Sequence, residues 1–445
     1  MSCLQTPRVD RRELLRSACY GALVSVAPSA RILASSPASE PANKAGLSSV
    51  RLQRIDPMMK AAVERRETPG MVGLIYRRGT IAHVTAAGWQ NIASKVPMKR
   101  DTMFQIMSMT KPVTATAVLM LIDAERIDLY DPVEKHLPEL ANMRVLSAPD
   151  SALNQTVPAH RPMRILDLLT YRSGLESAPA LVPVLTTPLG NAVGKVYAAH
   201  ANDPASWLEA MAALPLCYQP GSTWTYGMAS DVLSILVSRV SGMPFADFLQ
   251  QRIFSPLGMK DTAHFVPPSK RDRLATVYQR DPATGGFQPD RRWSGSFPDA
   301  PPAFPLGQYG LASMVDDYLQ FARMLLNGGS KDGVRILSRR MSSLMTSNYL
   351  TAEQRVAISG PMSTLFKGQG WGLGLAVVVD PAQQDEQFGF ASPGTFGWPG
   401  AFGTWWQADP KEEMIQIYMH QVSGGDAWGR PRTMFHRMGY EAIDD

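Results

Sequence analysis

Cysteine is scarce in this 445-residue chain, with three in all, too few for the disulfide framework of a small secreted scaffold. No apolar run approaches the ~20 residues of a membrane-spanning helix, so no stable membrane insertion is expected. Neither charge sign dominates: 44 basic residues face 39 acidic ones, an excess too thin to mark a nucleic-acid partner. A Gly-x-Ser-x-Gly elbow is absent, which leaves an α/β-hydrolase triad without an anchor. A Walker loop, a dinucleotide fingerprint and a Cys-x-x-Cys pair are also missing. The seven histidines (His83, His136, His160, His200, His264, His420, His436) contain no His-x-x-x-His pair. Metal and cofactor sites therefore lack support, and each histidine reads as a surface or core residue. Cys217, flanked by Leu216 and Tyr218, reads as a small buried hydrophobe rather than a nucleophile.

What is present is globular. Hydrophobic residues make up 45% and aromatic residues 8%, which excludes wholesale disorder, coiled coil and collagen. Thirty-five Gly and 35 Pro imply many loops. The length suits two or three domains, or one catalytic body with an insertion. Asp10-Arg11-Arg12-Glu13-Leu14-Leu15-Arg16 precedes a short apolar run, Ala18 to Ala27. Paired arginines before such a run match a twin-arginine signal, so residues 1–44 are expected to be signal peptide and linker, and the mature protein periplasmic. An Ala-, Ser- and Pro-rich linker is expected at 34 to 49. Residues 1–44 carry Arg8, Arg11, Arg12, Arg16, Arg31 and Lys44 against Asp10, Glu13 and Glu40. They thus hold +3 of the formal +5, and the remainder is close to neutral.

Periodicity then changes along the chain. Leu52, Ile55, Met59, Ala62 and Val63 have helical spacing, while Met71 to Tyr76 and Thr80 to Ala87 flank Arg77-Arg78-Gly79 as a hairpin. Ser108 to about Ile127 reads as a buried helix that tolerates Pro112 in its first turn. Helices and Pro-rich loops alternate from about 129 to 275, Asp231 to Ser241 being the clearest helix. Strand character returns at Leu373 to Val379, Gly403 to Ala408 and Met414 to His420. A sheet assembled from both chain ends, with a helical domain between them, is the expected arrangement.

One Ser-x-x-Lys stands in the sequence, Ser108-Met109-Thr110-Lys111. On a helix, residues three apart share a face with Cβ atoms ~5–6 Å apart, so the amine reaches the hydroxyl. A serine hydroxyl needs a base to become a nucleophile. Lysine serves only as the neutral amine, which burial at a helix start favours.

The surrounding stretch, Phe104-Gln105-Ile106-Met107-Ser108-Met109-Thr110-Lys111-Pro112-Val113-Thr114, resembles the first motif of the serine β-lactamase-like family: class C β-lactamases, penicillin-binding DD-peptidases and family VIII carboxylesterases. Four further segments resemble that family in the same order. They are Leu168-Leu169-Thr170-Tyr171-Arg172-Ser173-Gly174-Leu175, Pro220-Gly221-Ser222-Thr223-Trp224-Thr225-Tyr226-Gly227-Met228, Phe254 to Thr262, and Gly397-Trp398-Pro399-Gly400-Ala401. The resemblance spans about 50 to 440. It implies an α/β fold of the α+β type, an antiparallel sheet flanked by helices (45–115 and 290–445) with a mainly helical domain (116–289) inserted. The active site is expected in the cleft between them.

By the same resemblance, Ser108 is the acylated nucleophile and Lys111 with Tyr226 the general base. The N–H groups of Ser108 and Ala401 form the oxyanion hole. Departures from the family pattern point to the substrate. Trp398-Pro399-Gly400 replaces Lys-Thr-Gly or His-Thr-Gly, removing the cation that holds a substrate carboxylate. Met228 replaces the Asn two residues after the Tyr. Trp398, Gly400 and Met228 are thus expected to line an apolar pocket for a small-molecule ester of short to medium acyl chain. Pro399 departs even from the Trp-Gly-Gly of family VIII esterases, and its missing N–H bears on the shape of the oxyanion side. A β-lactamase, D-aminopeptidase or acyltransferase on the same site is the alternative, followed by a non-catalytic binder. The sequence does not specify the oligomeric state.

Overall fold

Two residues turn the chain between its first long strands. In the computed structural model, β1 (Gly70–Arg77) and β2 (Thr80–Asn91) are joined by Arg78-Gly79, whose φ values are +48° and +81°. A type I′ hairpin requires that pair of left-handed residues. The structure describes residues 42–175, 187–358, 363, 366–384 and 390–445; the twin-arginine segment lies outside them.

The remaining strands of the main sheet are β3 (Val96–Pro97), β4 (Gln369–Trp371), β5 (Ala376–Val378), β6 (Phe396–Gly397), β7 (Trp405–Asp409) and β8 (Met414–Met419). Their order is β4-β5-β6-β7-β8-β1-β2-β3 with every neighbour antiparallel. N-terminal β1 therefore lies beside C-terminal β8, Val72 opposite Met419 and Leu74 opposite Ile417. This is the sheet expected from both chain ends.

Every residue of β1 and β8 is buried, as strands covered on both faces must be. Met71, Ile75 and Tyr418 pack against α1 (Ile55–Glu64) and α5 (Arg430–Glu441) through Ile55, Met59 and Phe435. Val72, Leu74 and Ile417 belong to the larger core on the other face, which includes Phe321 and Leu325 of α4 (Val315–Leu326). Gly73 admits α5 closely, because a Cβ there would enter the Phe435 ring.

Between the strands run α2 (Thr110–Asp123) and α3 (Ala229–Ser241), which pack on each other. Eleven of the fourteen residues of α2 are buried, so it is a core helix rather than an amphipathic one. Pro112 is its third residue, where an N–H has no intrahelical partner to lose.

One expectation needs correcting. The composition of residues 34 to 49 suggested a linker, yet Ala42–Ala45 forms a 3-10 turn and Leu47 bridges Ile443. Ala45 and Leu47 are buried in the α1–α5 core, so their apolar side chains tie residues 42–47 to the folded body. No single helix among the described residues is long and apolar enough to cross a membrane.

Candidate active site

Ser108 lies in a 3-10 turn, Met107–Met109, that leads into α2. The chain enters this turn from Phe104–Gln105, which pairs with Ala312–Ser313, and the Ile106 N–H donates to the Leu311 carbonyl at 2.9 Å. These bonds lay the segment 308–313 along the start of α2. Met107 is left-handed with φ of 46°. That conformation costs a non-glycine residue ~1–3 kcal/mol and concentrates at functional sites.

One helical turn beyond Ser108, Lys111 is 1% exposed. Its Nζ donates to Ser108 Oγ at 3.0 Å and to the Gln308 carbonyl at 2.9 Å. Tyr226 comes from a separate loop, and its hydroxyl donates to the same Ser108 Oγ at 2.8 Å. Lys111 Nζ stands 4.7 Å from the centre of the Tyr226 ring. The structure thus brings all three expected residues onto one oxygen.

The loop of Tyr226 is held by the segment after Ile165–Leu169. Gly221 N–H donates to the Arg172 carbonyl at 2.7 Å and Thr225 N–H to the Tyr171 carbonyl at 2.8 Å. Tyr171, left-handed at φ 56°, stacks on Tyr226 with ring centres 5.8 Å apart. Its hydroxyl pairs with Ser230 Oγ at 2.7 Å.

Trp398 closes the aromatic wall. Its ring meets Trp371 edge-on at 4.6 Å and lies 5.8 Å from Tyr226. The indole N–H donates to the Tyr226 oxygen at 3.4 Å, a polar contact the sequence did not suggest. Pro399 falls just past β6, so its missing N–H removes no ladder bond. At Gly400 a Cβ would run into the Thr404 hydroxyl and the Ile106 carbonyl; glycine lets this segment lie against the turn of Ser108. Ala401 is exposed, and among the described residues its N–H has no backbone acceptor. Met228, expected beside substrate, is instead wholly buried in the main core at the N-cap of α3. The chain turns inward there to begin the helix.

Sequence reasoning missed the residues behind Lys111. Asp231, fully buried on α3, accepts from the Gln308 N–H at 2.9 Å and the Gln308 side-chain amide at 2.6 Å. The Tyr197 hydroxyl donates to the same carboxylate. Burial pushes Asp231 up to about 6 against the opposing effect of these donors. The one available signal was an acid amid the apolar residues of a core helix. Beside the serine turn, a cavity of about 160 Å³ is lined by Met107, Trp293, Phe304, Leu306 and Tyr309 among others. Among the described residues no cluster of His, Cys, Asp and Glu is able to hold a metal ion. A hydroxyl oxygen flanked by an amine and a phenol has the makings of an activated nucleophile.

Comparison with known proteins gives the family. A family model described as Beta-lactamase matches residues 55–436. Protein Rv1367c of Mycobacterium tuberculosis is 40% identical over 393 residues, 84% of this chain and 94% of that protein. Esterase EstB of Burkholderia gladioli is 28% identical over 374 residues, 80% of this chain and 86% of its own. Among solved structures, a LovD6 mutant of simvastatin synthase from Aspergillus terreus superposes with a TM-score of 0.72. That match is at 22% identity and covers 90% of this chain and 98% of the other.

Gly400→Ala is expected to push the segment before Ala401 away from Ile106. A shift on the order of 1 Å at a reacting centre costs roughly 100-fold. Hydrolase or acyl-transfer turnover should fall by about that factor while circular dichroism stays native. Wild-type turnover in a folded G400A protein would show that this close approach does not shape the site.

Proposed function

The chain belongs to the β-lactamase family, and on that footing we propose that it is a serine carboxylesterase for neutral esters of short to medium acyl chain. The observation that carries this reading is the single Ser108 oxygen met by Tyr226 at 2.8 Å and Lys111 at 3.0 Å. Ser108 Oγ attacks the ester carbonyl carbon as its proton passes to the Tyr226–Lys111 pair. The N–H groups of Ser108 and Ala401 receive the oxyanion, each donor contributing on the order of 10²-fold. Collapse breaks the bond to the alcohol oxygen, which takes the proton and leaves an acyl-Ser108. Water then gives a proton to the same pair and attacks the acyl carbonyl. The acid departs and Ser108 regains its proton.

Two features support a neutral ester as substrate. Trp398 stands where the resembling β-lactamases and DD-peptidases hold a cation, and its ring neighbours are Tyr226, Trp371 and Phe366. The cavity beside Met107 is mostly apolar and offers room for a short acyl chain. The similarity to Esterase EstB supports the same chemistry. We also propose export to the periplasm on the strength of Arg11-Arg12 and the apolar run behind them.

Ser108→Ala should lower kcat/KM for p-nitrophenyl butyrate by at least about 10³-fold, and a fluorophosphonate should add to Ser108 by intact mass. Undiminished hydrolysis in S108A would sink the reading, and much faster turnover of a cephalosporin or D-amino-acid amide would move it to the alternative class. Enlarging the cavity with Trp293→Ala should raise the octanoate-to-butyrate ratio of kcat/KM by about tenfold, the scale of methylene discrimination in apolar pockets. An unchanged ratio would place the acyl chain elsewhere. For localisation, an R11K/R12K double variant should remain in the cytoplasmic fraction, and normal periplasmic recovery would refute twin-arginine export.

A further inference from the structure

We propose that Asp231 is a positioning residue for the nucleophile: it fixes Gln308 so that the Gln308 carbonyl holds Lys111 against Ser108, and it supplies the countercharge when Lys111 carries a proton. This rests on the serine acyl-enzyme reading above.

The chain of bonds is continuous. Asp231 Oδ1 accepts the Gln308 N–H at 2.9 Å and Oδ2 accepts the Gln308 amide at 2.6 Å. The carboxylate therefore grips both the backbone and the side chain of one residue. The carbonyl of that residue takes Lys111 Nζ at 2.9 Å, and Nζ reaches Ser108 Oγ at 3.0 Å. Tyr197 completes the cradle, donating to Asp231 and accepting from the Gln308 amide at 2.8 Å. A structural role alone would be met by an apolar side chain on α3, since a buried carboxylate costs stability unless its partners repay it. Here the partners converge on the loop carbonyl that orients the amine.

During acylation the proton leaves Ser108 Oγ for the Lys111–Tyr226 pair, and it returns when the alcohol departs. Asp231 gains and loses no proton in that cycle. Its carboxylate lowers the energy of the cationic intermediate across Gln308. Facing Asp231 are Tyr197 from the helix Pro188–Ala199, Tyr171, Tyr309 and, beyond Gln308, Lys111. Burial pushes all three phenols up, so they stay protonated at neutral pH. Asp231 is then the member of this group that titrates near pH 6.

The sign follows for activity and stability separately. Below about 6 the carboxylate is protonated and its grip on Gln308 weakens, so acylation should fade on the acid side of that value. A folded-state value raised above the unfolded one gives a stability contribution that is complete below about pH 4. That contribution is lost as pH rises through about 6. Replacing the carboxylate by an amide of the same shape should therefore slow the enzyme at pH 8 without lowering its melting temperature.

The test is the rate of Ser108 acylation by a fluorophosphonate and by p-nitrophenyl butyrate across pH 5 to 9, for wild type, Asp231→Asn and Tyr197→Phe. Asp231→Asn should acylate on the order of 10- to 100-fold more slowly at pH 8, the scale of one hydrogen bond to a charged group. KM should stay within about twofold, Tm should be no lower, and the acid limb near 6 should vanish. Tyr197→Phe removes a donor that favours the carboxylate, so its acid limb should move to higher pH. If wild type forms no adduct, the serine reading itself fails. If wild type reacts and both variants keep its rate and pH profile, or if Asp231→Asn slows only in proportion to lost folding, the Asp231 proposal alone is overturned.

Discussion

An amine nitrogen taken out of water must be met by hydrogen-bond acceptors, and at Lys111 that requirement organises the surrounding structure. A buried charged or polar group left unpaired costs several kcal/mol, so two acceptors are held in place for Nζ: Ser108 Oγ one helical turn back and the Gln308 carbonyl from a distant loop. The first comes automatically with the start of α2. The second depends on tertiary structure. It needs the short pairing of Phe104–Gln105 with Ala312–Ser313, which fixes the loop along the helix start, and it needs Asp231 behind the loop. Strain at Met107 and Tyr171 is tolerated next to this point, because the packed aromatic wall, the Phe104–Gln105 pairing and the loop bonds to Tyr171 and Arg172 over-determine their conformation.

The sheet serves the same end by bringing remote segments together. β1 and β8 join the two ends of the chain at the centre of the sheet, and β6 hangs from β7 by only two residues, Phe396–Gly397. So short a strand leaves the following segment free to bend toward Ser108, and Gly400 allows it to pass the Ile106 carbonyl without a side chain between. Pro399 is harmless in this setting, since the ladder has already ended. The helices between the strands bring Tyr226 from the other side, through a loop bonded to Tyr171 and Arg172.

Much of this was legible in the sequence where the signal is local. The Arg78-Gly79 hairpin, the buried helix after Ser108 and the Met414–Met419 strand follow from period and turn chemistry within a few residues. Ser108, Lys111 and Tyr226 were readable because each sits in a motif with recognisable neighbours. Other features had no such signature. Strands of two or three residues such as β4 and β6 are too short for a period, and the partnership of Tyr197, Asp231 and Gln308 joins three separate segments through tertiary packing alone. Met228 misled for a related reason. Its place in the motif suggested a pocket, whereas burial was decided by the direction in which α3 begins.

Trp398 shows how one substitution reshapes a site without dismantling it. On the proposed reading, a lysine at this place would present a charge to an anionic substrate, while the indole forms an edge-on pair with Trp371 and gives an N–H to the Tyr226 oxygen. The ring faces around it carry partial negative charge, so a substrate carboxylate brought here would lose hydration and gain no ion pair. A neutral ester carries no charge to desolvate there. The N–H, meanwhile, places a donor on the phenol oxygen that faces Ser108, and on the proposed reading that donor favours the deprotonated form a base must take. On that reading the residue that offers no cation to an anionic substrate also helps ready the base that the serine requires. This joint role gives a reason for tryptophan rather than an aliphatic side chain at that position.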